Sequence, residues 1–484
     1  MAESKVVKAP TFLRFASPNE RRTISREDVG FYNTLTIAAI YEAADGNLDL
    51  NSSQTFISPL KQCIMKHPFL SVIVKNKDTE NPFFEAVSRL DLNDHISIIG
   101  DDQVKERKEM ESIENILPPI LDRPWPADIP PWRIVVLPLA SESTAKRCFI
   151  AFSFSHTIGD GMIGHIFHHT FVEAWESTAA ESSLVTPPNA ALTEAFDTPE
   201  RLPISWGFLL RPLISLLLPK FIANIFHLRA SSSTIDAGTW TSTPIFYEPS
   251  ASENSRVRIL ELEGSLVQKT LQSSRNHDSK LTATLHQLIV RALSKAIPQR
   301  DITNFVSGTA VDMRKSIGAP ADTWGLFVTG HYEVHPRVSD TSQPPLPEEM
   351  WQAASLVTKK LAECATQLQD QPIGLLRYAP SIRGYTLGKL GSRRDCSFDL
   401  SNLLAFDGIS DANSKCKITK MVFVQPGNVL SAPLQFNIIS VKGGSLVCAV
   451  SWQAGALDVP LDEEKAFVDD ICSSIRADLE ALRS

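Results

Sequence analysis

The stretch Phe152-Ser153-Phe154-Ser155-His156-Thr157-Ile158-Gly159-Asp160-Gly161 decides how the rest of the chain is read. Its first half alternates aromatic and small residues, the period-two pattern of a strand with a buried face. Its second half closes on two glycines, which allow a tight backbone turn. The spacing therefore puts His156 at a strand end, projecting into a cleft, with Asp160 four residues on across the turn. An imidazole titrating near pH ~6.5 is suited to take a proton from a hydroxyl at neutral pH.

The flanking segments give this strand a setting. Residues 133–139 and 147–155 read as neighbouring strands, and 164–175 as a helix. Further upstream, Ser25 followed by Asp28 resembles a capping box opening a helix over residues 29–44. A short helix over 56–65 and a β-branched strand over 69–74 come next. On the helix after the motif, His165, His168 and His169 share one face. No acidic or cysteine ligand accompanies them nearby, so they read as packing and exposed residues rather than a metal site. Alternating helices and strands imply an α/β lobe over residues 1–200.

A connector follows over 201–255, carrying the apolar insert 206–228. Arg211 and Lys220 interrupt that insert and Pro212 and Pro219 would kink it, so it is a poor membrane span. It reads instead as a buried or pocket-covering helical hairpin with no stable membrane association expected, interfacial membrane contact being the alternative. The second lobe, 256–484, begins with a strand over 256–262. Thr282 is a candidate N-cap for a helix over 283–296. A strand over 304–313 and a helix over 348–369 follow. Strands over 400–405, 417–424, 433–441 and 445–452 then lead to a last helix over 463–482.

Composition excludes several classes. A hydrophobic share of 43% with 21% charged residues is that of a folded protein, not a disordered or fibrous one. Lys plus Arg number 47 against 55 Asp plus Glu, a net charge of −8, which argues against a nucleic acid partner. Seven scattered cysteines with no C-x-x-C pair read as buried thiols in a reducing compartment, so the expected location is cytoplasmic.

The strand-end His-x-x-x-Asp-Gly motif resembles the active-site motif of acyltransferases with the chloramphenicol-acetyltransferase-like fold. That group includes plant BAHD acyltransferases, peptide-synthetase condensation domains and fungal alcohol acetyltransferases, the last being the nearest match. Leu121-Asp122-Arg123-Pro124-Trp125 through Pro131-Trp132-Arg133 is similar to the segment before their motif strand. Lys280-Leu281-Thr282-Ala283-Thr284-Leu285-His286 resembles a helix start in their second lobe. Val311-Asp312-Met313-Arg314 resembles the strand carrying an internal arginine, and Ser401-Asn402-Leu403 falls at their Ser-Asn turn. Two departures stand out. The plant Asp-Phe-Gly-Trp-Gly motif is absent, Trp324-Gly325-Leu326-Phe327 belonging instead to the loop after the Arg314 strand. Leu404 occupies a position where glycine often follows Ser-Asn-Leu.

The resemblance implies two lobes, each a mixed sheet with packed helices, around an active-site tunnel. His156 and Asp160 would be its catalytic pair, His156 as general base and Asp160 turned onto Arg314, with Gly161 and Arg314 supporting the turn. Ser307, Thr309, Ser401 and Asn402 would line the acyl-CoA or substrate tunnel. No metal and no bound cofactor are implied; acyl-CoA, in the first place acetyl-CoA, would be a co-substrate. The expected protein is a monomeric O-acetyltransferase acting on a small lipophilic alcohol or secondary metabolite. Other readings of the same site are an amine acceptor, a carrier-protein donor, or a cyclisation or isomerisation. A non-catalytic pair of ligand-binding lobes has no need to retain His156, Asp160 and Gly161.

Overall fold

The computed structural model describes residues 11–44, 48–100, 108–140, 145–176, 182–210, 234–249, 254–408 and 416–482. Eleven strands build its two main sheets: β1 (Leu35–Ala43), β2 (Ile96–Ile98), β3 (Trp132–Leu139), β4 (Lys146–Phe154), β5 (Ser255–Leu262), β6 (Asn304–Asp312), β7 (Val328–Pro336), β8 (Phe398–Phe406), β9 (Cys416–Val424), β10 (Leu434–Val441) and β11 (Leu446–Gln453). The first sheet runs β9-β1-β4-β3-β2 and the second β5-β11-β10-β8-β6-β7. Both are mixed, with β2–β3, β6–β8 and β8–β10 parallel and the other neighbours antiparallel. Strand β9 comes from the second half of the chain yet pairs along β1 in the first sheet. That exchange ties the halves together, and a shared core of Ala38, Ile113, Leu137, Val257, Val422 and Val447 fills the space beside it.

The principal helices are α1 (Pro18–Asp28), α2 (Gln54–Lys66), α3 (Glu109–Asp122), α4 (Met162–Glu173), α5 (Gly264–Asn276), α6 (Leu281–Ala296), α7 (Glu348–Cys364) and α8 (Glu464–Glu480). The helix expected over residues 29–44 is instead strand β1. A continuous apolar run fits a buried helix or a buried central strand equally well, and here the run is covered on both faces. The working capping box lies earlier. Ser17 Oγ accepts from Glu20 N, and Glu20 Oε2 accepts from Ser17 N (2.8 Å), with Pro18 opening α1. Thr282 is not a cap either; it lies inside the first turn of α6, where its hydroxyl accepts from Asn402 Nδ2 (3.0 Å). The helix expected over 348–369 ends at Cys364. Helix α3 escaped the sequence because Pro118 and Pro119 read as breakers, yet they sit inside it.

From residue 211 on, the apolar insert 206–228 lies outside the described residues, so the expectation that it covers a pocket is not addressed by them. Among the described residues, no helix is long and apolar enough to cross a membrane.

Several histidines are built into the core in neutral form. His168 Nε2 donates to the Ile37 carbonyl (2.9 Å) while its Nδ1 accepts from the Tyr41 hydroxyl (2.7 Å), which uses both ring nitrogens. His95 donates to the Trp132 carbonyl (2.7 Å) and stacks on that indole. Burial pulls His95, His168 and His335 down to about 4, from 6.5. Unfolding frees these rings to bind protons, so stability is complete above pH 6.5 and falls as pH drops from 6.5 toward 4. The urea midpoint should hold steady above neutrality and decline clearly at pH 5. A midpoint unchanged between pH 7 and pH 5 would show that these rings are not buried neutral.

Candidate active site

Strand β4 delivers the motif. Phe152 stacks on Phe167 of α4 with ring centroids 3.8 Å apart, and Ser153 Oγ meets Thr36 Oγ1 of β1 (2.9 Å). Ser155, at the strand end, is hydrogen bonded to Glu27 of α1 and accepts from Thr157 N (3.0 Å). The turn is thus anchored on three sides before His156 leaves it. His156 Nδ1 lies 2.8 Å from the Gly159 carbonyl. A carbonyl only accepts, so Nδ1 carries the proton and Nε2 keeps its lone pair. No hydrogen bond occupies Nε2 among the described residues. Burial and the nearby Arg22 charge pull the imidazole down to about 4, against the Gly159 carbonyl and Asp160, which act the other way. His156 is therefore a neutral ring at pH 7 with one open acceptor.

Asp160 points away from His156 into a clamp. Its Oδ1 lies 2.9 Å from Arg314 Nη2 and accepts from Met162 N (3.0 Å); its Oδ2 accepts from Phe327 N (2.8 Å). Both partners of the Asp160–Arg314 pair are 1% exposed. The segment Trp324–Phe327 wraps the turn from behind. Trp324 Nε1 donates to the Ile158 carbonyl (2.9 Å), and the Gly325 carbonyl accepts from Asp160 N (3.1 Å) and from Arg314. Arg314 also lies over the Phe327 ring and reaches a second carboxylate, Asp312 (2.8 Å). A Cβ on Gly161 would sit 2.6 Å from Leu403 Cδ2, so any larger residue there would have to push the Leu403 side chain of β8 aside.

A cavity of about 80 Å³ opens at His156, walled by Gly161, Asp312, Ser401, Asn402 and Gln425 among others. A larger one, about 580 Å³, continues past Asn402 toward the start of α6, beside Arg275, Lys280 and Leu404. Ser401 and Asn402 are therefore brought to His156. Ser307 and Thr309 are not. Strand alternation turns Ala310 and Asp312 to the cavity and Ser307 and Thr309 to the opposite face, where they bond His335 (2.9 Å) and His286 (3.1 Å). Their hydroxyls hold buried imidazoles rather than line this cavity.

Leu404 has φ +65° beside a register break between Asn402 and Ala405 in the β8–β10 pairing, and it is 63% exposed. The position needs the left-handed conformation that glycine adopts freely, while leucine there costs about 1–2 kcal/mol. Leu404→Gly should leave the melting temperature unchanged or raise it. A loss above about 1 kcal/mol would mean the leucine side chain packs favourably enough to outweigh its strain.

Sequence reasoning missed several groups at the site. Tyr32 packs its ring 5.6 Å from that of His156 and donates to Gln425 Oε1 (2.7 Å). Gln425 Nε2 in turn donates to Ser401 Oγ (3.2 Å) and Asn437 Oδ1 (2.7 Å). Neither residue lies in a pattern that marks it. The three histidines of α4 are dispersed: His168 is in the core, His169 pairs with Glu173, and His165 faces Phe406. No three potential metal ligands cluster among the described residues.

A family model described as alcohol acetyltransferase matches residues 39–473. A probable alcohol acetyltransferase, FCK4 of Fusarium pseudograminearum, is 23% identical over 452 residues, covering 89% of this chain and 86% of that protein. The probable alcohol acetyltransferase crmB of Aspergillus fumigatus is 21% identical over 465 residues, covering 89% and 92%. Among solved structures, the TRI3 trichothecene 15-O-acetyltransferase of Fusarium sporotrichioides superimposes with a TM-score of 0.63 at 13% identity, over 99% of this chain and 100% of that one. The starter condensation domain of rhizomide synthetase, solved with C8-CoA, gives 0.60 at 12% identity, over 97% and 94%.

Proposed function

The chain belongs to the alcohol acetyltransferase family, and from that membership we propose that it transfers the acyl group of an acyl-CoA, acetyl first, to the hydroxyl of a small alcohol or secondary metabolite. The observation that carries this reading is the setting of His156, which lines the cavity with Nδ1 held 2.8 Å from the Gly159 carbonyl and Nε2 without a hydrogen bond among the described residues. Nε2 takes the hydroxyl proton as the oxygen attacks the thioester carbonyl. Ser401 accepts from Gln425 and so keeps its own proton for the oxyanion that forms. Collapse breaks the C–S bond, and the leaving thiolate takes the proton back from His156. Products are an ester and free CoA thiol, with no acylated side chain.

Asp160 is then a positioning residue, acting through Arg314 and the turn. Residues 1–200 and 256–484 serve as the two lobes and 201–255 as their connector. The seven cysteines, six of them buried, form no disulfide, which suits work in a reducing compartment such as the cytoplasm. The test is incubation with acetyl-CoA and a panel of alcohols and amines, following thiol release and product mass. Ester formation supports the reading; amide formation alone, or no transfer to any acceptor, overturns it.

The low His156 value fixes a pH profile. Because the base is neutral until the pH approaches about 4, kcat/KM should stay flat well below 6.5 and fall only in the acid range where His156 protonates. Preincubation controls separate this limb from acid unfolding. A limb at or above 6.5 would contradict the desolvated base.

A further inference from the structure

The sheet face that looks at His156 continues beyond Ser401, in the direction away from Asn402. Gly308 pairs with Tyr332 on β7 and with Asp399 on β8, so the three stand side by side. A Cβ on Gly308 would lie 2.2 Å from Asp399 Oδ1, so the glycine leaves room for that carboxylate, with the Tyr332 ring at ordinary contact distance beside it. Arg22 and Arg26 stand one helical turn apart on α1, whose Glu27 bonds Ser155 of the motif turn and which leads into Tyr32 beside His156. Arg26 is near enough to His156, Tyr32, Tyr332 and Asp399 to act on the charge of each.

These two guanidinium groups have no carboxylate partner among the described residues. Arg22 donates through Nε and Nη2 only to the neutral amide oxygen of Asn19 (3.2 and 3.1 Å). Arg26 Nε is buried with no hydrogen-bond partner. The neighbouring arginine on α1, Arg21, does reach an acid, Glu80. Of the nearby carboxylates, Asp197 accepts from Asn19 N through Oδ2 and leaves Oδ1 without a partner among the described residues, while Asp399 accepts from Cys396 and from Asn428 Nδ2. Burial and Arg26 pull Arg22 down to about 9, while burial and Asp395 push Asp399 up to about 7. Two half-buried like charges one helical turn apart repel one another, and a negative group held between them would relieve that repulsion.

We propose that Arg22 and Arg26 receive a carboxylate carried by the acceptor at the end remote from its reacting hydroxyl, so that the preferred acceptor is a hydroxy acid rather than a plain alcohol. The planar fork of a guanidinium matches a carboxylate in two-point contact. The other basic pair near the site, Arg275 and Lys280, lines the cavity on the far side of Asn402. The two substrates would thus approach His156 from opposite ends. This rests on the acyl-transfer reading above for the identity of the acceptor, but binding of the acid can be read without turnover.

The experiment uses the full chain with hydroxybutyrate, hydroxyhexanoate, hydroxydecanoate and hydroxymethylbenzoate, each beside its methyl ester. At least one acid should raise the melting temperature where its ester does not. With acetyl-CoA present, that acid should show about tenfold or more higher kcat/KM than the ester, carried by KM. Arg26→Gln and Arg22→Gln should each collapse the acid-to-ester ratio. Acids that bind and lose binding in Arg26→Gln would support this inference even where no acceptor of the whole panel releases thiol, the outcome that overturns the acyl-transfer reading. Acids no better than esters throughout the wild-type series would overturn the inference with no variant involved. So would variants that raise the KM of acetyl-CoA while leaving the acid-to-ester ratio intact, since the anion would then belong to the donor.

Discussion

His156→Ala is expected to release CoA thiol about 10²–10⁴-fold more slowly than the wild type, while remaining folded. The loss should fall on kcat, because the imidazole takes the hydroxyl proton only as the new C–O bond forms. Nδ1 is committed to the Gly159 carbonyl, and no other group among the described residues bonds Nε2. The fold does not depend on the ring in the way it depends on His168, whose two nitrogens both hold core partners. Far-ultraviolet dichroism and the urea midpoint should therefore change little. His156→Gln keeps a polar side chain of similar reach but cannot act as a base, so it should be as impaired as the alanine variant. Near-normal thiol release from either would remove His156 from the mechanism.

The second large effect concerns Asp160 and Arg314. The pair is fully buried, 2.9 Å apart and separated by 154 positions in sequence. Removing one partner leaves a charge without its mate, which typically costs about 3–5 kcal/mol. Asp160→Ala also strips acceptors from Met162 N and Phe327 N, so the turn loses its grip on the segment behind it. Arg314→Ala is cushioned on one side only, since Asp312 is 41% exposed and can turn to water. Each single variant should lower the urea midpoint and kcat together. The double variant should lose less than the sum by about 1–3 kcal/mol, the coupling typical of contacting residues. Additive losses in that cycle would mean the carboxylate acts on its surroundings independently of Arg314.

How far the sequence foretold this site depends on whether the signal was local. The strand-turn at 152–161 was legible because alternation, histidine and two glycines fall within ten residues. Leu404 was marked as a non-glycine at a glycine-like position, and its φ of +65° gives that mark a backbone meaning. Strand β1 was misread because a central strand buried on both faces has no period to distinguish it from a buried helix. Ser307 and Thr309 were grouped with the tunnel on residue type alone. Alternation sends both to the other face once Ala310 is known to line the cavity, which the structure shows and the sequence does not. Tyr32 and Gln425 carried no signal, since each reaches His156 or Ser401 only once α1, β8 and β9 are packed together.

Direct transfer without an acyl-enzyme is the claim on which the whole account turns, and rapid mixing tests it in one experiment. Enzyme and acetyl-CoA are mixed at comparable concentrations, with and without an acceptor found active in the alcohol panel, and thiol is followed through the first turnover. The account predicts no thiol until acceptor is present, and then thiol and ester appearing together. A burst approaching one thiol per enzyme before any acceptor is added would contradict it, because it would require a protein nucleophile to carry the acyl group.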